Sequence, residues 1–435
     1  MENKNAQRSW RTSGGMALAL TSTRTLFALI TQKVITVWLG PAGLGQLGQF
    51  HSLWLVLQSL AGGGGQDGLI KLTAESNEHS KKRVNHTLVA FSIFTLVSSA
   101  VLGLVLFIFT PYVVRLFDFP PEWSPVLKVS ALLMLFCGPW LCLQSYFTGL
   151  GRWSSLVIVQ GIAAVTPVAT LFILRFNSLD IGLFSPLAFS LPPLISVLGL
   201  SLLQVRRLHL LVTPFFNDLR FVLKTFWPNY KRLTLLVLPA LLCGPLSLIL
   251  VRHILVQKAG WELTGQFQAL VRFFDLPVTL FVTFLSFYYV PALGKLKGKG
   301  HEDWSAYTKR VFILLVLFSL SILGLIPGKN QIFSLLFSDE ISISSLWFVG
   351  FAVNTFLKLW AWIFGLQLLA FEAWKPYWVC ESLGAVIWVA LSVVAIPQYG
   401  VAGIIGAQTI ELTFTLCALY VSSLHIKRKV FRGET

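Results

Sequence analysis

The sequence predicts an all-α polytopic membrane protein: twelve transmembrane helices in two six-helix bundles around a central cationic cavity. Three observations predict it. Hydrophobic residues make up 55% of the 435 and charged residues 12%, with a mean hydropathy of +0.74. Such a balance exceeds what a soluble core can bury. The apolar residues fall into twelve stretches, most near the ~20 residues a bilayer requires. The Lys and Arg residues gather on one side of those stretches.

The expected spans are 14–39, 48–71, 87–110, 126–149, 154–175, 183–204, 233–257, 265–293, 311–327, 345–370, 377–396 and 400–424. The first opens on Gly14 and carries Arg24 near its middle and Lys33 nearer its far end. A charge at mid-bilayer costs about 2.5–3.5 kcal/mol on insertion scales. Arg24 therefore reads as the lining of a water-filled cavity that takes an anion, or as one half of a structural ion pair. Lys33 is close enough to the span's end for its stem to reach the interface. It lies about half a turn out of phase with Arg24 on a helix of ~3.6 residues per turn.

The second span carries Asp67 and Lys71 and four consecutive glycines, Gly62 to Gly65. No Gly-Lys-Ser/Thr follows them, so close helix approach or local unwinding fits better than nucleotide binding. Spans three, five, six and nine have uncharged interiors and read as packing or lipid-facing helices. Pro186, Pro192 and Pro193 mark kinks in the sixth, and Pro277 marks one in the long eighth.

Charge returns in the second half: Arg252 in span seven, Arg272 and Asp275 in span eight, Lys358 in span ten, Glu381 in span eleven and Glu411 in span twelve. Each has two readings. Asp67 with Lys71 and Arg272 with Asp275 are at i,i+4 and i,i+3, where opposite charges can neutralise each other. Arg252 near a span's end could snorkel. Lys358 near mid-membrane favours a cavity. Glu381 and Glu411 fit a proton or cation coupling step, or hydrogen-bonded packing.

With the N-terminus in the cytoplasm, cytoplasmic segments hold 23 of the 34 Lys and Arg, so both termini are expected there. Most of the net +16 is then orientation signal rather than a nucleic-acid footprint. The expected layout is a cytoplasmic tail at 1–13, a six-helix bundle at 14–204, a linker at 205–232, a second bundle at 233–424 and a basic tail at 425–435. Within the linker, Phe215 to Trp227 reads as an amphipathic surface helix. The halves echo each other at Leu47-Gly48-Gln49-Phe50 and Thr264-Gly265-Gln266-Phe267. Parallel repeats of this kind often place substrate between them.

The residues exclude several chemistries. The first thirteen are mostly polar and no A-x-A site follows, so no cleavable signal peptide is expected. Five cysteines lie in apolar stretches without C-x-x-C spacing or a His cluster, which argues against disulfides and zinc. No H-E-x-x-H, nucleophile elbow or large external loop is present to hold catalytic groups. The chain is expected to be a transporter, not an enzyme, without a cofactor beyond a proton or sodium gradient.

Gly40-Pro41-Ala42-Gly43-Leu44-Gly45 follows the first span, with Arg24 and Lys33 in it and Phe50 and Lys71 around span two. Trp261 through Gln268, Asp275, Tyr289-Val290-Pro291, Leu357-Lys358 and Phe364-Gly365 follow in order. On a twelve-span frame this series resembles the Wzx-type lipid-linked oligosaccharide flippases of the MOP (MATE-like) exporter superfamily. Within them it looks most like the lipid III flippases of enterobacterial common antigen and the O-antigen translocases. The resemblance implies two bundles forming a V around a cationic lumen. It implies movement of an undecaprenyl-diphosphate oligosaccharide from the inner to the outer leaflet of the bacterial inner membrane.

Arg24 and Lys358 resemble basic positions of that family, and Asp275 an acidic one. The candidate substrate-binding residues are Arg24, Lys358, Arg272, Arg252 and Lys33. The coupling candidates are Asp275, Glu381, Glu411 and Asp67. Membrane lipids, a polysaccharide polymerase and a chain-length regulator are the expected partners, with no nucleic acid. The alternative is a cation-coupled multidrug exporter on the same frame, which would call for acidic rather than basic lumen residues.

Overall fold

The computed structural model describes residues 2–62, 66, 69–70, 73, 81–203, 219–285, 289, 301–370 and 373–431. Asp67, Lys71, Gly63 to Gly65, residues 205–218 of the expected linker, Val290-Pro291 and the end of the basic tail lie outside them. In chain order the helices are α1 (Glu2–Ala61), α2 (Lys81–Leu116), a 3-10 turn (Pro121–Trp123), α3 (Ser124–Leu133), a second 3-10 turn (Met134–Phe136), α4 (Cys137–Gly149) and α5 (Trp153–Phe176). They continue with α6 (Ile181–Phe184), α7 (Leu187–Ser190), α8 (Pro192–Leu203), α9 (Leu219–Phe284), α10 (His301–Leu323), α11 (Lys329–Leu336), α12 (Ser345–Ala370), α13 (Trp374–Tyr399) and α14 (Val401–Phe431).

Among the described residues eight helices are long and apolar enough to cross a membrane, or nine if the bent 181–199 segment is one span. The expected twelve differ mainly because two continuous stretches, Ala19–Ala61 and Leu242–Thr283, each cover the ground of two expected spans. The first expected span ends at Leu39, and there a single residue, Gly40 at φ 68° and ψ −174°, interrupts the helix. Pro41 follows directly, where its fixed φ and missing N–H suit a first helical position. In α9 the break is Gly260, at φ 78° and ψ 178°. Pro277 lies within the helix, and π geometry follows at Leu285 and Tyr289. The sixth expected span is broken as its prolines implied, bending by 49° between Ile181–Ser190 and Pro192–Gly199.

The chain forms two compact units, 1–34 with 46–246 and 35–45 with 247–435. In the first, α2 packs through small residues. A methyl on Gly103 would stand 2.6 Å from the Ala131 carbonyl oxygen, and the Gly138 N–H donates to Ser99 Oγ at 2.9 Å. Small residues spaced by four let apolar helices approach without a hydrophobic drive between them. The opposite face of α2 leaves Val101, Leu104, Ile108 and Phe109 exposed. Trp123 Nε1 donates to the Gly182 carbonyl at 2.9 Å and ties the turn before α3 to α6.

In the second unit α12, α13 and α14 pack together. A methyl on Gly350 would stand 2.5 Å from Ile405 Cγ2. Gln367 of α12 donates to the Tyr289 hydroxyl and accepts from Ser423 of α14, so one amide joins three segments. A core of Val278, Phe281, Leu285, Leu315, Leu359 and Ile363 lies beside it. Val386, Val393 and Val394 on α13 and Ile410 and Val421 on α14 remain exposed. Apolar surface on this scale is what bilayer hydrocarbon covers.

Candidate functional site

The second unit brings most of the sequence-selected charges together. On α9 the Gly260 break separates Arg252 from the segment that carries Arg272 and Asp275. Arg252 is 1% exposed. It lies within electrostatic reach of Arg272 and Asp275, so the snorkelling reading fails: its head is inside the protein. The neighbouring His253 Nε2 lies 3.0 Å from Gln257 Nε2.

Asp275 has two further neighbours of opposite charge besides Arg252. Arg272, one turn before it on the same helix, is within electrostatic reach. Its direct ion pair, however, crosses to α12: Lys358 Nζ lies 3.6 Å from Asp275 Oδ1, with the side chains 39% and 43% exposed. The i,i+3 spacing could not reveal a partner on another helix. A pair this open contributes about 0–1 kcal/mol, so stability alone does not account for it. The exposure leaves the Lys358 ammonium open to another anion.

Lys358 is also within electrostatic reach of Glu381 on α13 and Glu411 on α14. Glu411 Oε1 accepts from Thr415 Oγ1 at 3.0 Å. Gly384 of α13 makes room for it: a methyl there would stand 2.5 Å from Thr415 Oγ1 and 2.8 Å from Glu411 Oε1. Within one unit, Arg252, Arg272 and Lys358 thus gather around Asp275, and Lys358 also reaches Glu381 and Glu411. This charge balance shifts readily when an anion enters or a carboxylate takes a proton.

One turn before Lys358, Asn354 donates to the Ile405 carbonyl and to Gln408 Oε1, each at 3.1 Å, and accepts from Thr409 Oγ1 at 2.7 Å. Sequence reasoning missed this hub because it followed formal charge. The readable signal was a polar residue four before Lys358 in an apolar span.

The first unit carries Arg24 and Lys33 on α1. Arg24 is exposed, together with Ser22 and Thr23, whereas Lys33 is half-buried. Among the described residues no group of His, Cys, Asp or Glu has the makings of a metal site. The five cysteines are free thiols, with Cys137, Cys142 and Cys380 buried.

The fold is that of MOP-superfamily exporters and flippases, and the chain is a polytopic membrane protein of that architecture. It superposes on the inward-facing conformation of a multidrug resistance MATE family transporter of the MOP superfamily with a TM-score of 0.75. That match has 15% identity over 96% of this chain and 98% of the other. The lipid II flippase MurJ in an inward closed conformation gives 0.71, at 14% identity over 93% and 86%. A MOP superfamily transporter from Pyrococcus furiosus gives 0.65, at 16% identity over 98% and 96%.

In sequence, the chain is similar to the lipid III flippases of Escherichia coli (strain K12) and Shigella flexneri. Each is 22% identical over 400 residues, covering 89% of this chain and 92% of the relative. No family model matches. The fold and these relatives are those of membrane transporters, not of catalytic enzymes.

Proposed function

We propose that this protein moves a diphosphate-linked glycolipid of the undecaprenyl-diphosphate oligosaccharide class from the inner to the outer leaflet of a bacterial inner membrane. The observation that carries this reading is the cluster of Arg252, Arg272 and Lys358 with Asp275 in direct contact with Lys358. Arginine forks match phosphate oxygens in pairs, and a solvated lysine adds a point charge. The entering diphosphate displaces Asp275 from Lys358. Glu381, Glu411 and Asp275 answer the added negative charge by binding protons or a monovalent cation, which links transport to an ion gradient.

Arg24 and Lys33 on α1 remain candidate substrate-binding residues in this proposal, and Asp67 a coupling candidate. Bundles at 14–204 and 233–424, with both termini in the cytoplasm, complete the reading. A polymerase and a chain-length regulator act on the delivered glycan. The names of the sequence relatives, lipid III flippases, support this substrate class.

A multidrug exporter is the second reading, and the solved structures back it more strongly: the highest superposition score among those described is to a multidrug transporter. Glu381 and Glu411 would then hold an organic cation. Within this fold the sign of the pocket matters: reversed pocket polarity is taken to mean a different function in the Pyrococcus furiosus transporter.

Proteoliposomes decide between the two. Wild-type protein is expected to move undecaprenyl-diphosphate oligosaccharide across the bilayer, and Lys358→Gln and Arg24→Gln are expected to slow it at least tenfold. Ethidium efflux without glycolipid movement would replace this reading with the exporter.

A further inference from the structure

Gln268 on α9 is 0% exposed, and neither its Nε2 nor its Oε1 has a hydrogen-bond partner among the described residues. A buried amide with both ends unmet is costly, and native proteins rarely keep one without a use for it. Its position supplies the use. Gln268, Arg272 and Asp275 follow at i, i+4 and i+7 on the continuous helix after Gly260, so they share one face. Along that face burial changes steadily. Thr264 and Gln268 are buried, Arg272 and Asp275 are partly open, and Thr279 is exposed. Thr264 spends its hydroxyl on the Gly260 carbonyl at 2.8 Å, which leaves Gln268 as the deepest side chain of the stripe with its polar atoms unspent.

We propose that Gln268 is a sugar-recognition residue: its amide takes a hydroxyl or acetamido group of the first sugar on a diphosphate held at Arg272 and Lys358. This rests on the flippase reading and names a subsite within it. Four residues of helix rise place Gln268 about 6 Å along the axis from Arg272, on the order of one pyranose ring. An amide offers both a donor and an acceptor, which suits a neutral hydroxyl-rich group, whereas an ionised phosphate has no proton for the amide oxygen to accept. Sites built to hydrogen-bond a substrate group discriminate strongly against analogues lacking it, because their own polar atoms are then left unmet.

The test is binding to purified protein in nanodiscs, with undecaprenyl diphosphate and undecaprenyl diphosphate carrying one N-acetylhexosamine as probes. Wild type is expected to hold the glycosylated probe roughly tenfold more tightly, a typical worth for one or two hydrogen bonds. Gln268→Met is expected to erase that preference while keeping wild-type affinity for the bare diphosphate. Its melting temperature is expected to equal or exceed wild type, since an unmet buried amide has been removed.

If Gln268→Met keeps the full preference, Gln268 has no recognition role and the flippase reading stands. If wild type binds neither probe, the flippase reading and this subsite fall together. A Gln268→Met protein that melts lower and loses both affinities equally marks a structural amide and overturns the proposal.

Discussion

Gly45 and Gly265 lie against each other through their backbones. A methyl on Gly45 would stand 3.0 Å from the Gly265 amide nitrogen and 3.0 Å from the Trp261 carbonyl oxygen, and one on Gly265 would overlap the Pro41 carbonyl. The contact is reciprocal: each glycine meets the residue four positions before the other. Both follow the glycines, Gly40 and Gly260, that break the two long helices at matching dihedrals. The structural repeat therefore aligns Gly40 with Gly260, Gly45 with Gly265 and Gln46 with Gln266. The sequence echo at Gly48 and Gly265 is three residues out of this register.

The crossing predicts an order of severity. Gly265→Ala must displace backbone, so it is expected to cost about 3 kcal/mol, the upper end for overpacking. Gly45→Ala, with contacts at 3.0 Å, is expected to cost about 1 kcal/mol. Gly40→Ala has little steric conflict, its nearest atom being Glu340 Oε2 at 3.4 Å. Its φ of 68° with an extended ψ is a region only glycine populates comfortably, which costs about 1–3 kcal/mol. Thermal unfolding of the detergent-solubilised variants checks the ranking; a wild-type midpoint for Gly265→Ala would refute the crossing.

The Lys358–Asp275 pair predicts opposite effects from its two halves. Lys358→Gln removes a cation the substrate needs, and Asp275→Asn removes the anion that competes for it. Affinity for an undecaprenyl-diphosphate lipid is expected to fall at least tenfold in the first and to rise several-fold in the second. Both variants keep near-native stability, because the exposed pair is worth at most about 1 kcal/mol. Equal losses of affinity in both variants would mean that the pair acts as a unit and is not opened by substrate.

How much of this was legible in the sequence divides by the kind of signal. Hydropathy reported the helices well; the span at 345–370 coincides with α12. It ended spans at Leu39 and Gln257, beside the breaks at Gly40 and Gly260, but it could not show that a single glycine makes each break while the helix resumes at once. Charge located Arg252, Arg272, Asp275 and Lys358. It could not tell that Asp275 pairs across to α12, since partner choice depends on how helices pack. Gln268 and Asn354 went unread for a different reason: a neutral amide carries no charge, and its importance lies in what its atoms do or do not bond. The i,i+4 spacing of each to a basic residue was the available clue.

Gly384 permits a test of Glu411 without touching it. A methyl at 384 intrudes on Thr415 Oγ1 and Glu411 Oε1, so Gly384→Ala is expected to break the Thr415–Glu411 hydrogen bond from the neighbouring helix. If Glu411 carries the coupling step, the variant loses gradient-driven transport as Glu411→Gln does, and its stability falls by about 1–3 kcal/mol. Thr415→Val separates the two consequences, because it removes the hydrogen bond without the clash. Coupled transport that survives in all three variants would take Glu411 out of the mechanism.

Asn354 supports the last prediction, on stability. Its side chain is buried and joins α12 to α14 through the Ile405 carbonyl, Gln408 and Thr409. In a membrane protein the unfolded reference state also finds partners, so each such hydrogen bond contributes only about 0.6 kcal/mol on average. Asn354→Ala forfeits three of them, opens a cavity and strands the Gln408 amide oxygen. The expected loss is about 2–4 kcal/mol, from these hydrogen bonds together with a small cavity. Asn354→Leu fills the space and still leaves Gln408 unmet, whereas Asn354→Leu with Gln408→Leu removes both halves of that bond. The double variant is therefore expected to be more stable than Asn354→Leu alone, because a polar group left without its partner is worse than an apolar pair. Equilibrium unfolding of the three variants measures the difference, and a double variant less stable than the single one would show that Gln408 finds its stabilising contacts elsewhere.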